Sequence, residues 1–556
     1  MQPPPVPIAQ SFSTPIGAFY HWEKHAPDRI FLKQPLAGKW QTYTYRQAGL
    51  EIRKVAARLA SLSLDPGSNV CILSKNCAHW IMADLAIWMA GHVSVPIYPT
   101  LSSSGIQFIV DHCAASAIFV GKLDNYSEQR HGIRDGLPRF SFSMYGTNDG
   151  TTWESIMDSP DSIKDNPTPD PGAIASIMYS SGTTGNPKGV MLSFAAFDFV
   201  GNAMTKAIAL TPADQFFSYL PMSHIAEKAY VEMGLLYSGG SVAFTESLEK
   251  FPLNLQEIQP TLFGGVPRIF AKFQEGVLAK MPQARLNRLL RIPVLSSLIK
   301  KMIRKKLGLG RARFILGGAA PIPTSLLTWF KSLDIVIQEI YGMTEDCGFS
   351  HGDHAQGIRI GTVGRAWPDV ESYIGENGEI LVRHPGLMKG YYKDPATTDR
   401  VFTRDGFLKT GDKGFEDRDG YLTITGRLND QFKTEKGKFI APAPIETKLL
   451  ALDEVDQALV VGNGLPQPIA LVVLSHAARS QSRDTLVQVI TKGLTRINKV
   501  TEKHEMLRKV VVLREEWTIE NGLLTPSLKV RRNRVEEIHR ERYVDWYASS
   551  EEIIWE

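Results

Sequence analysis

The chain has 556 residues but only four cysteines, Cys71, Cys77, Cys113 and Cys347, and none stands at metal-ligand spacing. That scarcity excludes a disulfide scaffold and points to a reducing, cytoplasmic setting. The formal charge of +4 is small for this length, so composition predicts neither a nucleic-acid partner nor a strongly anionic one. A secretory leader is not expected, because Met-Gln-Pro-Pro-Pro-Val-Pro offers neither a basic start nor an apolar run. The longest apolar stretch, Trp80 to Tyr98, is interrupted by Asp84 and His92 and falls short of a membrane span. There is no short fixed-period repeat, no Gly-x-Ser-x-Gly elbow and no evident Cys-His pair, which argues against a solenoid and against a protein nucleophile.

What is present centres on Tyr179 to Gly189, reading Tyr-Ser-Ser-Gly-Thr-Thr-Gly-Asn-Pro-Lys-Gly. Its glycines let the backbone approach a ligand closely, and its hydroxyls and the Lys188 ammonium add donors, so the loop is expected to bind phosphate. A flexible surface turn is the plainer reading, since these residue types build most loops. The flanks favour a site: Ile174 to Met178 reads as a strand entering the loop, and Val190 to Val200 as the apolar segment leaving it. The widespread Gly-Lys-Ser/Thr nucleotide loop is a different pattern, because here Pro187 precedes Lys188 and a glycine follows it.

The segment meets every position of Ser/Thr-Ser-Gly-Thr-Thr-Gly-x-Pro-Lys-Gly and resembles the signature of the adenylate-forming superfamily, which includes acyl-CoA synthetases, luciferases and the adenylation domains of peptide synthetases. The resemblance extends over nearly the whole chain. It implies that Ser181, Gly182, Thr183, Thr184, Gly185 and Lys188 hold the phosphates of ATP, with Thr184 also at the magnesium ion. Further along, Gly318, Ala319 and Ala320 end a strand-like Phe314 to Leu316, and Tyr341-Gly342-Met343-Thr344-Glu345 follows a second strand, Ile335 to Ile340. Each alone reads as a strand-to-loop turn. By the resemblance, Tyr341 stacks on adenine beside Gly342 and Thr344, the small residues form the opposite wall, and Glu345 helps hold Mg2+, an ion that takes hard oxygen ligands.

A longer signature runs through Lys409-Thr410-Gly411-Asp412, Gly426-Arg427, Lys433 and Gly437-Lys438. An aspartate can accept two hydroxyl hydrogens, which suits Asp412 to a ribose, and the guanidinium of Arg427 is a fixed fork of donors for ribose and phosphate. The resemblance places Lys433, Gly437 and Lys438 among the nucleotide-side residues and Asp430 at a hinge. It thereby divides the chain into a large N-terminal domain, 1–430, and a small mobile C-terminal domain, 431–556. Lys529 in Leu524-Thr525-Pro526-Ser527-Leu528-Lys529 aligns with the family's C-terminal catalytic lysine, although Leu528 stands where glycine is commoner.

The expected fold is α/β: sandwich subdomains and a β-barrel-like subdomain in the large domain, and an α+β small domain. Gln47 to Leu64 suits an amphipathic helix, Val70–Leu73, His92–Tyr98 and Ala117–Val120 read as strands, and Asp124 to Pro171 as a loop-rich connection. His224, in Leu220-Pro221-Met222-Ser223-His224, is either an ordinary core histidine or, by resemblance, a catalytic residue beside the acyl pocket. Pro260 to Arg268 resembles the stretch that lines the acyl channel of long-chain enzymes. From Met281 to Arg313 there are ten Lys and Arg and no acid. That stretch reads either as a solvated helical face broken at Pro293 or as a peripheral contact with an anionic inner-membrane surface.

The reading that follows is an AMP-forming acid-thiol ligase using ATP, Mg2+ and CoA on a fatty acid of medium or long chain, without a nucleic-acid partner. A ligase for a bulky or aromatic acid, or one delivering to a carrier protein, stays open beside it. A non-catalytic nucleotide or lipid binder is disfavoured by the retention of Lys188, Glu345, Asp412, Arg427 and Lys529 together.

Overall fold

The computed structural model describes residues 12–180, 187–353, 357–519, 521–525 and 529–556. Its largest sheet has eight strands in the order Gly390–Tyr391, Lys188–Ser193, Ile174–Ser180, Val93–Ile97, Asn69–Leu73, Ala117–Val120, Arg139–Ser141, Thr151–Thr152. All neighbours are parallel except at the Lys188–Ser193 strand, which pairs antiparallel on both sides. Strands buried on both faces need near-continuous apolar sequence, and Val93–Ile97 and Ala117–Val120 are buried at every position. The helix expected at Gln47 runs Tyr45–Ala60, started by a capping box between Thr44 and Gln47. The apolar stretch at Trp80 resolves into the wholly buried helix Ala78–Met89 and the strand Val93–Ile97. Among the described residues no helix is long and apolar enough to cross a membrane.

A five-stranded sheet, Leu262–Gly265, Phe314–Gly317, Ile337–Tyr341, His351–Gly352, Arg365–Ala366, is parallel over its first three members. A four-stranded mixed sheet joins Gln215–Ser218, Ser241–Phe244, Ile30–Leu36 and Lys39–Thr44. The barrel-like element expected from the resemblance is an open antiparallel meander, Glu371–Ile374, Glu379–Arg383, Leu408–Glu416, Leu422–Arg427. The small C-terminal part carries a hairpin, Phe432–Lys433 with Phe439–Ile440, and a sheet of Val455–Val461, Ile469–Leu474, Lys509–Val512 and Ile553–Trp555 with separate apolar clusters around Val460 and Leu459.

Asp124 to Pro171 is loop-rich as expected, yet Arg139–Ser141 and Thr151–Thr152 extend the large sheet, strands too short to show a period of two among the surrounding glycines and prolines. The basic stretch is interrupted at Pro293 as expected: the helix Gln283–Leu290 stops short of it, and Pro293 begins a second helix, Pro293–Lys306, at a position where its missing N–H costs nothing.

Candidate active site

The site is built from the ends of two strands and the middle of a third. The Ile337–Tyr341 strand delivers Tyr341, the Leu408–Glu416 strand Asp412, and the Leu422–Arg427 strand Arg427, with Asp412 and Arg427 directly opposite in the ladder. Register alone therefore sets a carboxylate against a guanidinium. Arg427 Nε lies 3.1 Å from Asp412 Oδ1, while the Tyr341 hydroxyl donates to Asp412 Oδ2 at 2.8 Å. Each Asp412 oxygen keeps a further lone pair, enough to accept from a diol. The Asp412 charge raises the pKa of Arg427, and burial first, then Asp412, raises that of Tyr341, so both stay protonated.

Immediately after Tyr341 the chain turns through Gly342, where a Cβ would come within 2.5 Å of the Gly348 backbone, and a short 3-10 turn, Thr344–Asp346, presents Glu345. Glu345 is buried, and its Oε1 accepts from the Tyr391 hydroxyl at 2.8 Å. The same Tyr391 ring lies under Lys188, whose Nζ is 5.0 Å from the ring centroid. Tyr391 thus ties the cation that follows the phosphate loop to the carboxylate expected at the metal. Nothing in the sequence singled it out; its strand of two residues, Gly390–Tyr391, carries no periodic signal. Gly318, Ala319 and Ala320 follow the Phe314–Gly317 strand, and Ala319 takes a left-handed backbone, φ 67°. The expected phosphate ligands Ser181, Gly182, Thr183, Thr184 and Gly185 lie outside the described residues.

From the far end of the chain, Lys529 joins this group. Its backbone is pinned by Thr525, whose Oγ1 accepts from Lys529 N at 3.0 Å and whose N donates to Lys529 O at 2.8 Å. Lys529 is exposed by surface area, yet protein crowds its ammonium. Burial and the Arg427 charge lower its pKa, while Asp412 and Glu345 act to raise it. The Lys529 charge also acts on His224, whose pKa is lowered to about 4 by burial and then by Lys529, so that imidazole is neutral near pH 7. The structure brings together Lys188, Tyr341, Glu345, Asp412, Arg427, Lys529 and His224. It does not bring Lys433, Gly437 and Lys438 to them: these sit on the exposed hairpin of the small part, where Lys433 Nζ stacks 4.8 Å over Phe439.

His224 Nδ1 accepts from Ala226 N at 3.2 Å and its carbonyl from Glu227 N at 3.1 Å, where Glu227 opens a π-helical turn, Glu227–Met233. Glu227 Oε1 accepts from Ser218 Oγ (2.6 Å), Tyr219 N (3.0 Å) and Asn76 Nδ2 (3.2 Å), and burial pushes its pKa up to about 8. Tyr219 begins an aromatic row: its ring is 4.7 Å from Phe251 and 5.8 Å from Phe263, and Phe263 is 6.0 Å from Phe273. That row packs into the apolar cluster that also takes Leu286, Ile299 and Ile303 of the basic helices. At the end of the Pro260–Arg268 stretch the Arg268 guanidinium turns to the small part and meets Glu516 at 3.1 Å and Asp456 at 3.5 Å. Asp430, the expected hinge, lies 3.8 Å from Arg532.

Among the described residues no group of three or more His, Cys, Asp or Glu forms a metal cage. A single buried carboxylate such as Glu345, with one oxygen fixed by Tyr391, fits an ion that arrives with phosphates and keeps much of its own water, as Mg2+ does.

Comparison with known proteins agrees with this geometry. A family model described as AMP-binding enzyme matches residues 19–392, and a second, described as AMP-binding enzyme C-terminal domain, matches residues 429–551. The long-chain-fatty-acid–CoA ligase FadD15 of Mycobacterium bovis is 27% identical, the match covering 96% of this chain and 97% of that protein. The peroxisomal long chain acyl-CoA synthetase 6 of Arabidopsis thaliana is 28% identical over 92% of this chain and 82% of its own. In fold, the chain is similar to the adenylation domain of a carboxylate reductase from Mycobacterium chelonae (TM-score 0.82, 23% identity, 98% and 92% of the two chains). It is likewise similar to the o-succinylbenzoate CoA synthetase of Bacillus subtilis (TM-score 0.72, 22% identity, 93% and 97%).

Proposed function

The chain belongs to the AMP-binding enzyme family, and from that premise we propose that it activates a carboxylic acid, a fatty acid of medium or long chain, with ATP and passes the acyl group to CoA. The observation that carries this reading is the meeting of Lys529 with Glu345, Asp412 and Arg427, which gathers two ammonium or guanidinium charges and two carboxylates from distant segments at one cleft. In the first half-reaction a carboxylate oxygen attacks the α-phosphorus and the bond to pyrophosphate breaks. Negative charge grows on the phosphate oxygens, so preplaced cations lower the barrier. Lys529 and Arg427 supply that charge at the α-phosphate, and Lys188 with the loop Ser181–Gly185 holds the departing phosphates. Tyr341 and the Gly318–Ala320 turn take the base, Gly342 and Thr344 border it, and Asp412 accepts from the ribose hydroxyls. Bound at Glu345, Mg2+ would neutralise phosphate oxygens; Tyr391 fixes the orientation of that carboxylate, and Thr184 would be its loop-side partner.

In the second half-reaction the CoA thiol sulfur attacks the acyl carbonyl, its proton passes to water, and AMP leaves with the electrons of the broken acyl–oxygen bond. Lys529 fills the approach to the carbonyl, so the small part, 431–556, would turn about Asp430 and bring Lys433, Gly437 and Lys438 from their exposed hairpin toward the cleft. The neutral His224 lies at the acyl side, where an uncharged ring suits an apolar chain. Support for a fatty acid comes from the relatives named as long-chain ligases and from the aromatic row that starts at Tyr219. An enzyme for such acids has reason to sit where they partition, and residues 281–313 offer the contact.

ATP–pyrophosphate exchange over straight-chain acids of rising length, aromatic acids and keto acids tests the reading, followed by thioester formation with CoA. Exchange that rises with chain length, and thioester with free CoA, is expected. Exchange confined to aromatic acids would replace the fatty acid, thioester only on a carrier protein would replace CoA, and no exchange at all would leave a binder without catalysis.

A further inference from the structure

The basic segment carries an exposed face that its charge alone does not explain. In the helix Pro293–Lys306, Ile299 and Ile303 are buried against the body, while Val294 (76% exposed), Leu298 (61%) and Met302 (48%) point outward. Residues four apart lie on one side of a helix, so Val294, Leu298 and Met302 form a single stripe, and at 100° per residue Lys301 and Lys305 fall on the same face. Ile292, at the entry to the helix, is also half exposed. Scattered apolar residues on a surface are ordinary, but four within residues 292–302 are a patch.

The cations beside it are mostly uncommitted. Lys300 turns inward to Asp334 (3.0 Å), and Arg304 donates to Ala312 O (3.1 Å), so both serve to seat the helix. Among the described residues no carboxylate pairs with Lys301, Lys305 or Lys306, and Arg285, Arg288 and Arg291 on the preceding turn and helix are exposed. A purely solvated face would not need the apolar stripe, and a protein partner of ordinary composition would not need so many cations without an acid. A bilayer bearing anionic headgroups meets both halves: the headgroups take the cations, while the stripe enters the boundary of the acyl chains.

We infer that the outer face of residues 292–306 docks on an anionic phospholipid surface. The buried side of the same helices shares its apolar cluster with the aromatic row that starts at Tyr219, so docking sets that row near the lipid. The inference concerns binding and stands apart from the identity of the acid.

The test is co-sedimentation of the full chain with vesicles, without nucleotide or acid. Two variants are compared, Leu298→Asp/Met302→Asp and Lys301→Glu/Lys305→Glu; all four positions are exposed or turned to solvent, and circular dichroism confirms folding. The full chain should pellet with vesicles containing phosphatidylglycerol at low salt and stay in solution with phosphatidylcholine alone or in high salt. Each variant should bind at least about tenfold more weakly, given roughly fivefold for each basic residue at such a surface. Pelleting equal for the parent and both variants would overturn the assignment, as would no pelleting of the parent. So would a parent dimer that Leu298→Asp/Met302→Asp turns into a monomer without lipid binding, which would give the face to a second copy, or RNA binding that only the lysine variant loses. Exchange activity with a soluble acid should be unchanged in both variants, so a failure here is distinguishable from a failure of the proposed function.

Discussion

Arg268 and Glu516 face each other at 3.1 Å, one at the start of the helix Pro267–Lys280 and the other in the C-terminal part of the chain. With Asp456 at 3.5 Å, they are a direct ionic link between the two parts in the arrangement that places Lys529 at the cleft. All three side chains are about one-third exposed, which limits the pair to roughly 0.2–1 kcal/mol, a few-fold in the population of this arrangement.

Arg268→Glu should therefore slow acyl-adenylate formation about two- to fivefold, the range that such an exposed pair allows, and leave conversion of supplied acyl-adenylate unchanged or faster. Glu516→Arg in the same chain should restore most of the loss. Pyrophosphate exchange at low and high salt measures both, and an unrescued double variant would show that the contact does not set the arrangement.

Tyr391→Phe removes the hydroxyl that holds Glu345 and keeps the ring under Lys188. The lost hydrogen bond is worth about 0.5–1.5 kcal/mol, so the magnesium concentration needed for half-maximal exchange should rise several-fold while the rate at saturating magnesium recovers. A loss that magnesium does not restore would assign Tyr391 to folding.

The acid and alkaline limits of stability should separate at two residues three apart. The folded pKa of His224, about 4, lies below its ordinary 6.5, so its contribution is present above pH 6.5 and lost as pH falls toward 4. The folded pKa of Glu227, about 8, lies above its ordinary 4.5, so its protonated form is favoured at low pH and stability falls as pH rises from 4.5 to 8. Each slope has an upper limit of about 1.4 kcal/mol per pH unit. In thermal melts across pH, His224→Gln should flatten the acid limb and Glu227→Gln the alkaline one. Unchanged limbs would mean that other groups set them.

Much of this was legible because glycines, prolines and hydroxyls sit at fixed spacing where backbone must meet phosphate or turn sharply. Tyr341, Glu345, Asp412, Arg427 and Lys529 belong to such ordered patterns, and the structure gathers all five. Tyr391 and Glu227 were not legible, since one lies on a two-residue strand and the other acts only through contacts with Asn76 and Ser218, 151 and 9 residues away. The direction of Arg268 was not legible for the same reason: which way a side chain turns at a helix start depends on what the rest of the chain brings to it. For the basic segment, sequence supplied the charge, but the outward stripe of Val294, Leu298 and Met302 needed the helix to begin at Pro293 and to seat on Ile299 and Ile303.

The central claim is that Lys529 serves the adenylation half alone, and Lys529→Ala assayed in the two halves separately tests it most directly. Acyl-adenylate formation should fall by a factor of order 10²–10³, as for removal of one electrostatic group at a reacting centre, while supplied acyl-adenylate and CoA yield thioester at nearly the parent rate. Equal loss in both halves, or none in the first, would contradict the account.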